Sequence, residues 1–342
     1  MSSSLLVQRN VALRAHNTFG IDVVAANYIR IGHEDELRAV AAEDDLVAMP
    51  RLVLGGGSNI VLTGDFAGLV LHMCTSGIAM VGETQDCVLV TASAGENWHG
   101  LVDWTLRQGL GGLENLSLIP GSVGASPIQN IGAYGVELQD RLHSLRMLDM
   151  QSGVVRSLGR DDCGFAYRDS RFKHGLRDRA IILDVTFALP KAWQACTTYT
   201  ELAHELQTRG LAAPTPRQVA DAVIAIRQRK LPDPATIGNA GSFFKNPVVD
   251  AAKRHELVAR FPALVSHAQA DGRYKLAAGW LIDQCGWKGR SQGAAGVYEK
   301  QALVLVNRGG ATGTDVMRLA NAIRRDVAQR FGVALETEPV VL

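Results

Sequence analysis

Between residues 34 and 43 the apolar positions Leu37, Val40 and Ala41 recur at the spacing of one helical face. Residues 49–54 then read as a short strand that runs into Gly55-Gly56-Gly57. From 96 to 108, Trp98, Leu101, Val102 and Leu106 share a second helical face, and Gly109 is placed to end that helix. The apolar runs 142–150 and 154–158 flank Gln151-Ser152-Gly153, which predicts a hairpin. Residues 180–189 alternate Ile181, Leu183, Val185 and Phe187 inward with Asp184 and Thr186 outward, the pattern of a half-buried strand. Near Pro190 the pattern changes. Thr215-Pro216-Arg217-Gln218 is a capping box with proline at the first helical position, opening a helix through residue 229 on Val219, Val223 and Ile226. A last helix, from about 314 to 330, carries Val316, Leu319, Ile323 and Val327. The N-terminal half is thus β-rich, and the C-terminal half is mixed with more helix.

A chain of 342 residues suggests two domains. With 35 basic and 34 acidic side chains, it gives no electrostatic reason to expect nucleic acid or an anionic membrane as partner. The five cysteines are widely spaced with no C-x-x-C, which argues against a disulfide framework or a zinc ribbon. His204-Glu205 and His255-Glu256 lack a second histidine four residues on, so no metal site is expected. The start, MSSSLLVQRN, is expected to be neither signal peptide nor anchor, and no apolar stretch approaches a membrane span. A reduced, soluble, cytoplasmic protein is the expectation. Glycine is the departure: 35 residues, about a tenth of the chain, against a usual ~7%. It concentrates at 55–57, in 109–135, and in the pairs Gly238/Gly241 and Gly293/Gly296.

These glycine segments carry the candidate chemistry. Gly55-Gly56-Gly57-Ser58-Asn59 follows a predicted buried strand, where bare backbone N–H groups can converge on an anion. It is neither G-x-G-x-x-G nor a P-loop, and a tight turn is the simpler alternative for it alone. The long segment 112–135 is lined by small residues and backbone amides, with Gln129 and Asn130 as hydrogen-bonding side chains. That composition suits a long ligand with phosphates and a heteroatom-bearing ring. Ala166-Tyr167-Arg168-Asp169-Ser170-Arg171-Phe172-Lys173 reads as a turn with surface ion pairs. Ser242, among Gly241, Phe243 and Phe244, is not in G-x-S-x-G and has no triad partners by spacing. It is either a turn residue or a hydroxyl presented to a ligand.

In order along the chain, these motifs closely resemble one family, the UDP-N-acetylenolpyruvoylglucosamine reductases. The match begins at Asn17-Thr18-Phe19-Gly20 and takes in GGGSN (55–59), PGSVGASPIQNIGAYG (120–135) and YRDS (167–170). It continues through GNAGSFFKNP (238–247) and KLAAGWLIDQCGWKG (275–289). The resemblance implies an α+β chain with a vanillyl-alcohol-oxidase-like (PCMH-type) FAD-binding domain at 17–192. An α+β substrate-binding domain would follow at 207–334, and then a tail at 335–342 that returns to the active site. FAD would be bound noncovalently, since no His or Cys lies within 52–62 to tether it. Its contacts would be Gly55, Gly56, Gly57, Ser58, Asn59, Pro120, Gly121, Ser122, Gly124, Ala125, Gln129, Asn130, Gly132, Ala133 and Tyr134.

The reaction that the resemblance implies reduces the enolpyruvyl ether of a UDP-sugar to a lactyl ether, giving UDP-N-acetylmuramate. NADPH delivers hydride to the flavin, and flavin N5 passes it to the vinyl methylene carbon. Negative charge then spreads from the α-carbon into the substrate carboxylate. Arg168 and Glu338 would stabilise that charge, Glu338 as a protonated donor, and Ser242 would protonate the α-carbon. Tyr199, Lys230, Asn246 and Gln301 would contact the UDP-sugar. The expected partner is this small molecule alone, with no nucleic acid, no membrane, and a monomeric enzyme. Two features depart from the family pattern. The stretch 262–269 lacks a tyrosine of the longer family form, with His267 standing at roughly its place, and Glu336-Thr337-Glu338-Pro339 leaves Glu336 as the reserve for Glu338. The segment 335–342 must be docked as a strand or tail to serve. The other readings are a flavin oxidase of the same superfamily and a paralogue that binds flavin or UDP-sugar without chemistry.

Overall fold

The computed structural model describes residues 5–342; the N-terminal expectation above falls partly on residues 1–4, outside them. The chain divides into two compact units. The first holds residues up to Val11, Ala25–Gly56 and Ala67–Arg229, and the second holds Ala12–Val24, Gly57–Phe66 and Lys230–Leu342. Each unit is built from segments far apart in sequence, and the boundary runs through the triple glycine.

In the first unit a four-stranded sheet has the order Gln8–Ala12, Val24–Ile31, Phe66–Met73, Arg51–Leu54. Arg51–Leu54 lies parallel to Phe66–Met73, with Leu54 opposite His72, so the triple glycine leaves from the carboxyl end of that pair. Helix Glu34–Ala42 buries Leu37 and Val40 in the same apolar cluster as Ile29, Ile31, Leu69 and Leu71, as the periodicity predicts. A five-stranded antiparallel sheet follows the order Val154–Gly159, Leu142–Asp149, Ala180–Pro190, Cys87–Ser93, Ile78–Glu83. The predicted hairpin is the pairing Leu142–Asp149 with Val154–Gly159. On Ala180–Pro190 the residues Ile181, Leu183, Val185 and Phe187 are buried; Ile182, outside the alternation, is buried too. Helix Trp98–Arg107 sets Trp98 edge-on against Phe187, at 5.8 Å between ring centroids. Asn97 caps it through the Gly100 N–H, and Gly109 follows with φ +75. Helices Thr200–Thr208 and Pro216–Lys230 share a satellite cluster of Leu202, Leu206, Val219, Val223 and Ile226, on which Tyr134 and Trp193 pack. That packing, not sequence proximity, groups these helices with the first unit. The capping box forms as read, with Thr215 and Gln218 exchanging both bonds.

The second unit has a four-stranded sheet in the order Gly238–Ser242, Val304–Asn307, Ala295–Val297, Ser291–Gln292. A three-stranded sheet joins Val248–Val249, Tyr274–Leu276 and Ser266–Ala268, and Val340–Val341 pairs in parallel with Ile60–Val61. The last helix, Gly313–Phe331, buries Val316, Leu319, Ile323 and Val327. Thr312 and Asp315 cap its start reciprocally, and Gly332 closes it in the left-handed region. No helix among the described residues is long and apolar enough to cross a membrane.

Asp149 ties the large sheet of the first unit together. Its side chain is buried and receives Arg179 Nε at 2.9 Å and Nη2 at 2.5 Å, while Arg156 lies 3.4 Å away. The Arg179 guanidinium holds this carboxyl down to about 2. Because the folded-state value lies below the unfolded one, the carboxylate stabilises fully above roughly pH 4, the ordinary value for aspartate. That contribution is lost as pH falls through about 2. Asp149→Asn should lose about 2 kcal/mol at neutral pH, reduced from a fully buried pair because both arginines are half-exposed. In urea unfolding as a function of pH, the gap between the parent protein and Asp149→Asn should narrow from pH 4 downward.

Candidate active site

The two glycine segments of the first unit touch back to back. A Cβ on Gly56 would stand 3.2 Å from Gly121 Cα, and one on Gly55 would stand 2.1 Å from Ser122 Oγ. Residues 121–124 are held from their other side by residues 94–98. Trp98 N–H donates to Gly121 O at 3.0 Å, Val123 N–H to Glu96 O at 2.8 Å, and Gly124 N–H to Ala94 O at 2.9 Å. A Cβ on Gly124 would strike that of Ala94 at 2.6 Å, so the close layering extends there. What remains outward is main chain and small side chains: Gly56, Pro120 and Ala125 are exposed, while Gly121 is partly so. Gly57, in the second unit, has φ +59, and a Cβ there would meet His16 O at 2.0 Å and Asn17 Cα at 2.8 Å. Ser58 and Asn59 follow, half-buried.

The rest of the long segment is buried and ordered rather than a solvated loop. Asn130 is buried at φ 44, and its amide donates to Glu137 Oε2 at 2.9 Å and to Ala166 O at 3.2 Å. Its Oδ1 accepts Gln139 N–H at 3.0 Å. Both donors of that side chain are therefore spent inside the protein. Gln129 is half-buried, as are Gly132 and Ala133, which sits in a two-stranded ladder with Val136. Tyr134, at φ 48, packs its ring edge-on to Tyr199 at 5.3 Å. Its hydroxyl hydrogen-bonds Arg227, and burial pushes the phenol up to about 12.

Arg168 occupies a tight turn closed by the Ala166–Asp169 bridge, in the left-handed region at φ 54. It donates from Nη2 to Gly132 O at 2.7 Å, and Lys173 Nζ holds its carbonyl at 2.8 Å. So the turn brings this cation against the long segment. Of the six non-glycine residues with positive φ among those described, Leu118, Asn130, Tyr134 and Arg168 fall in these two motifs. Such strain of roughly 1–3 kcal/mol each is held where a fold over-determines the backbone, and it points to a site.

In the second unit, Gly241 takes φ +69, and its N–H is received by Asn239 Oδ1 at 2.9 Å. Ser242 then pairs with Val304 after a bulge. Phe244 and Thr337 form an antiparallel bridge, flanked by Lys245 N–H to Glu336 O and Glu338 N–H to Phe243 O, both at 2.9 Å. The tail is thus docked as a strand, one residue away from Ser242. Asn246 Oδ1 accepts Ala278 N–H at 2.9 Å, and Gln301 Oε1 lies 3.0 Å from where a Cβ on Gly279 would be. Each amide thus lies beside one of the first two residues of helix Ala278–Gln284. Lys230 is exposed at the end of Pro216–Lys230, and His267 is exposed on a strand opposite Lys275.

Thr18 was not among the sequence candidates, yet it joins two motifs of the second unit. Its N–H donates to Gly57 O at 3.1 Å, and its hydroxyl donates to Asn239 O at 2.6 Å. A threonine before Phe-Gly looks like ordinary turn chemistry, so only its match to the family motif signalled it.

Family models match two stretches of the chain, "FAD binding domain" over residues 25–159 and "UDP-N-acetylenolpyruvoylglucosamine reductase, C-terminal domain" over residues 233–342. The reductase of that name from Paraburkholderia phymatum is 58% identical over 332 residues, covering 96% of each chain. The chain belongs to this family. The Ralstonia nicotianae reductase is 56% identical over 98% of this chain and 99% of its own. A crystal structure of the Thermus caldophilus reductase superposes with a TM-score of 0.69 at 24% identity, covering 98% of this chain and 99% of that one. A solvent-stable cholesterol oxidase shares the fold at a TM-score of 0.50 and 12% identity. The architecture is that of a PCMH-type FAD-binding domain with the reductase C-terminal domain, and the activity is flavin-dependent reduction in peptidoglycan precursor synthesis. The exposed small residues Gly56, Pro120 and Ala125, with Gly121 partly exposed, fit the cofactor, since main chain can approach a diphosphate where no large side chain stands.

Space around each glycine sorts their substitutions. Gly57→Ala meets fixed backbone at a positive φ and should cost about 3 kcal/mol and most of the bound flavin. Gly55→Ala meets the Ser122 hydroxyl, which can rotate, and Ser122 Cβ at 3.1 Å, so about 1 kcal/mol is expected. Gly64, with nothing within 4 Å, is the control. Urea midpoints and bound flavin per chain check the ranking.

Proposed function

We propose that this chain reduces the enolpyruvyl ether of a UDP-sugar to the lactyl ether with NADPH, using Arg168 and Glu338 to stabilise charge and Ser242 to donate the proton. The observation that carries this reading is the bond from Glu338 N–H to Phe243 O, which ties the tail acid to the chain one residue after Ser242. Glu336, the alternative acid, is 72% exposed and its side chain is engaged in an ion pair with Lys245 at 3.1 Å.

Bound FAD supplies a two-electron carrier that accepts hydride from NADPH and yields it to the vinyl carbon. The protein must then manage the charge left on the substrate. Arg168 offers fixed cationic donors from a backbone turn that cannot relax without breaking its bond to Gly132 O. Glu338, once protonated, donates a hydrogen bond to the forming enolate. Ser242 protonates the α-carbon, a base strong enough to take a hydroxyl proton when the two are aligned. Tyr199, Lys230, Asn246 and Gln301 bind the UDP-sugar, Lys230 as a counter-charge to the diphosphate. We assign the activity to the cytoplasm and to a single chain, which carries every group named.

Anaerobic half-reactions test this reading. NADPH should bleach the bound flavin, and the enolpyruvyl UDP-sugar should recolour it. Ser242→Ala should bleach normally and recolour roughly 10²–10⁴-fold more slowly, and Glu338→Gln roughly 10²–10³-fold more slowly. Recolouring of Ser242→Ala at the parent rate would remove Ser242 from the mechanism. Recolouring by oxygen with no response to the UDP-sugar would instead favour an oxidase.

A further inference from the structure

We infer that Asn59, the last residue of the first glycine motif, is a positioning residue that sets the backbone of Glu338; the inference rests on the proposed role of Glu338. The segment 336–342 changes partners in mid-course. Before Pro339 it runs antiparallel to 243–245, and after Pro339 it runs parallel to 59–63. Asn59 stands at the changeover and grips both sides of it. Its Nδ2 donates to Glu338 O at 3.4 Å, and its own carbonyl accepts Val340 N–H at 3.0 Å. Beyond it, Leu342 N–H donates to Val61 O at 2.9 Å, while the Thr63 N–H and hydroxyl both donate to Leu342 O at 2.7 Å.

Pro339 explains why the changeover falls there. A proline has no N–H, so neither ladder loses a donor at the step, and its ring holds the preceding Glu338 in the extended region. Glu338 then has its N–H on Phe243 O, its carbonyl on Asn59 Nδ2, and its backbone angles restricted by Pro339. Both peptide planes beside its Cα are held, which leaves mainly side-chain rotation to aim the carboxyl group. The grip on the carbonyl is the longest of these bonds, so its loss should loosen the aim rather than unfold the strand. Aspartate in place of Asn59 would set an acceptor against the Glu338 carbonyl, which repels.

The experiment follows the recolouring half-reaction by stopped flow on the flavin-loaded enzyme, with rates expressed per bound flavin. Asn59→Ala should slow recolouring about ten-fold, and Asn59→Asp at least as much. Val340→Pro, which removes the N–H that Asn59 O accepts, should slow it similarly. The deciding measurement is the double variant Asn59→Ala/Glu338→Gln. If Asn59 acts through Glu338, the double variant should recolour within about two-fold of Glu338→Gln alone. Losses that multiply in full would overturn the inference and leave the role of Glu338 intact. A parent rate for Glu338→Gln would remove that role, and the inference with it. Should Asn59→Ala hold too little flavin to measure, Val340→Pro carries the same cycle, with the same two outcomes.

Discussion

Main chain pressed against main chain is the constraint from which the rest of this structure follows. At Gly55 and Gly56 the first glycine segment lies tightly on Ser122 and Gly121, where a Cβ would stand 2.1 Å from the Ser122 hydroxyl and 3.2 Å from Gly121 Cα, respectively. At Gly57 the backbone passes the His16 carbonyl with less room still. The three consecutive glycines are thus constrained by different neighbours, most tightly at Gly57. Beside this contact Gly56, Pro120 and Ala125 stay exposed with no large side chain among them, which suits main-chain approach to a diphosphate. A chain with one excess positive charge can hold anionic ligands this way, because backbone dipoles take over from a basic surface.

The residues proposed for the chemistry are held by the same means. Ser242 and Glu338 are brought close by a two-stranded ladder, not by a shared helix face, and Arg168 is aimed by a strained turn locked to Gly132. Backbone hydrogen bonds suit this task. Each is worth only about 0.5–1.5 kcal/mol net, but a ladder fixes direction to within a fraction of an ångström. Thr18 and Asn59 extend the principle, since each holds two segments that are distant in sequence. Groups that act on a developing charge need that fixity more than they need affinity.

The amphipathic helices and the alternating strand were legible because burial imposes periods of 3.6 and 2 on any chain. The capping boxes at Thr215 and Thr312 open their helices by local hydrogen bonds, so the start of Pro216–Lys230 was readable from Thr215-Pro216-Arg217-Gln218. Other features had no local signature. The packing of Thr200–Thr208 onto Tyr134 and Trp193 depends on surfaces made by residues elsewhere in the chain. Asn130 looked like a ring contact, yet its side-chain donors go to Glu137 and Ala166, partners 7 and 36 residues away. A lone asparagine cannot announce which acceptor will be nearest after folding.

The order of the motifs was enough for a resemblance to name the family and, through it, the cofactor. Periodicity was enough for four helices, while Thr200–Thr208, Ala251–Arg260 and Ala278–Gln284 were not read. What was legible rests on neighbours within a few residues or on motifs carried whole. What tertiary structure alone decided was which backbones touch. Only the folded chain shows Gly55 and Gly56 against the loop at 121–122, or Glu338 rather than Glu336 beside the chain at Phe243. That Glu336 pairs with Lys245 and Glu338 with Phe243 is a matter of strand register, set across more than ninety residues of intervening chain. No pattern within the tail itself shows that register.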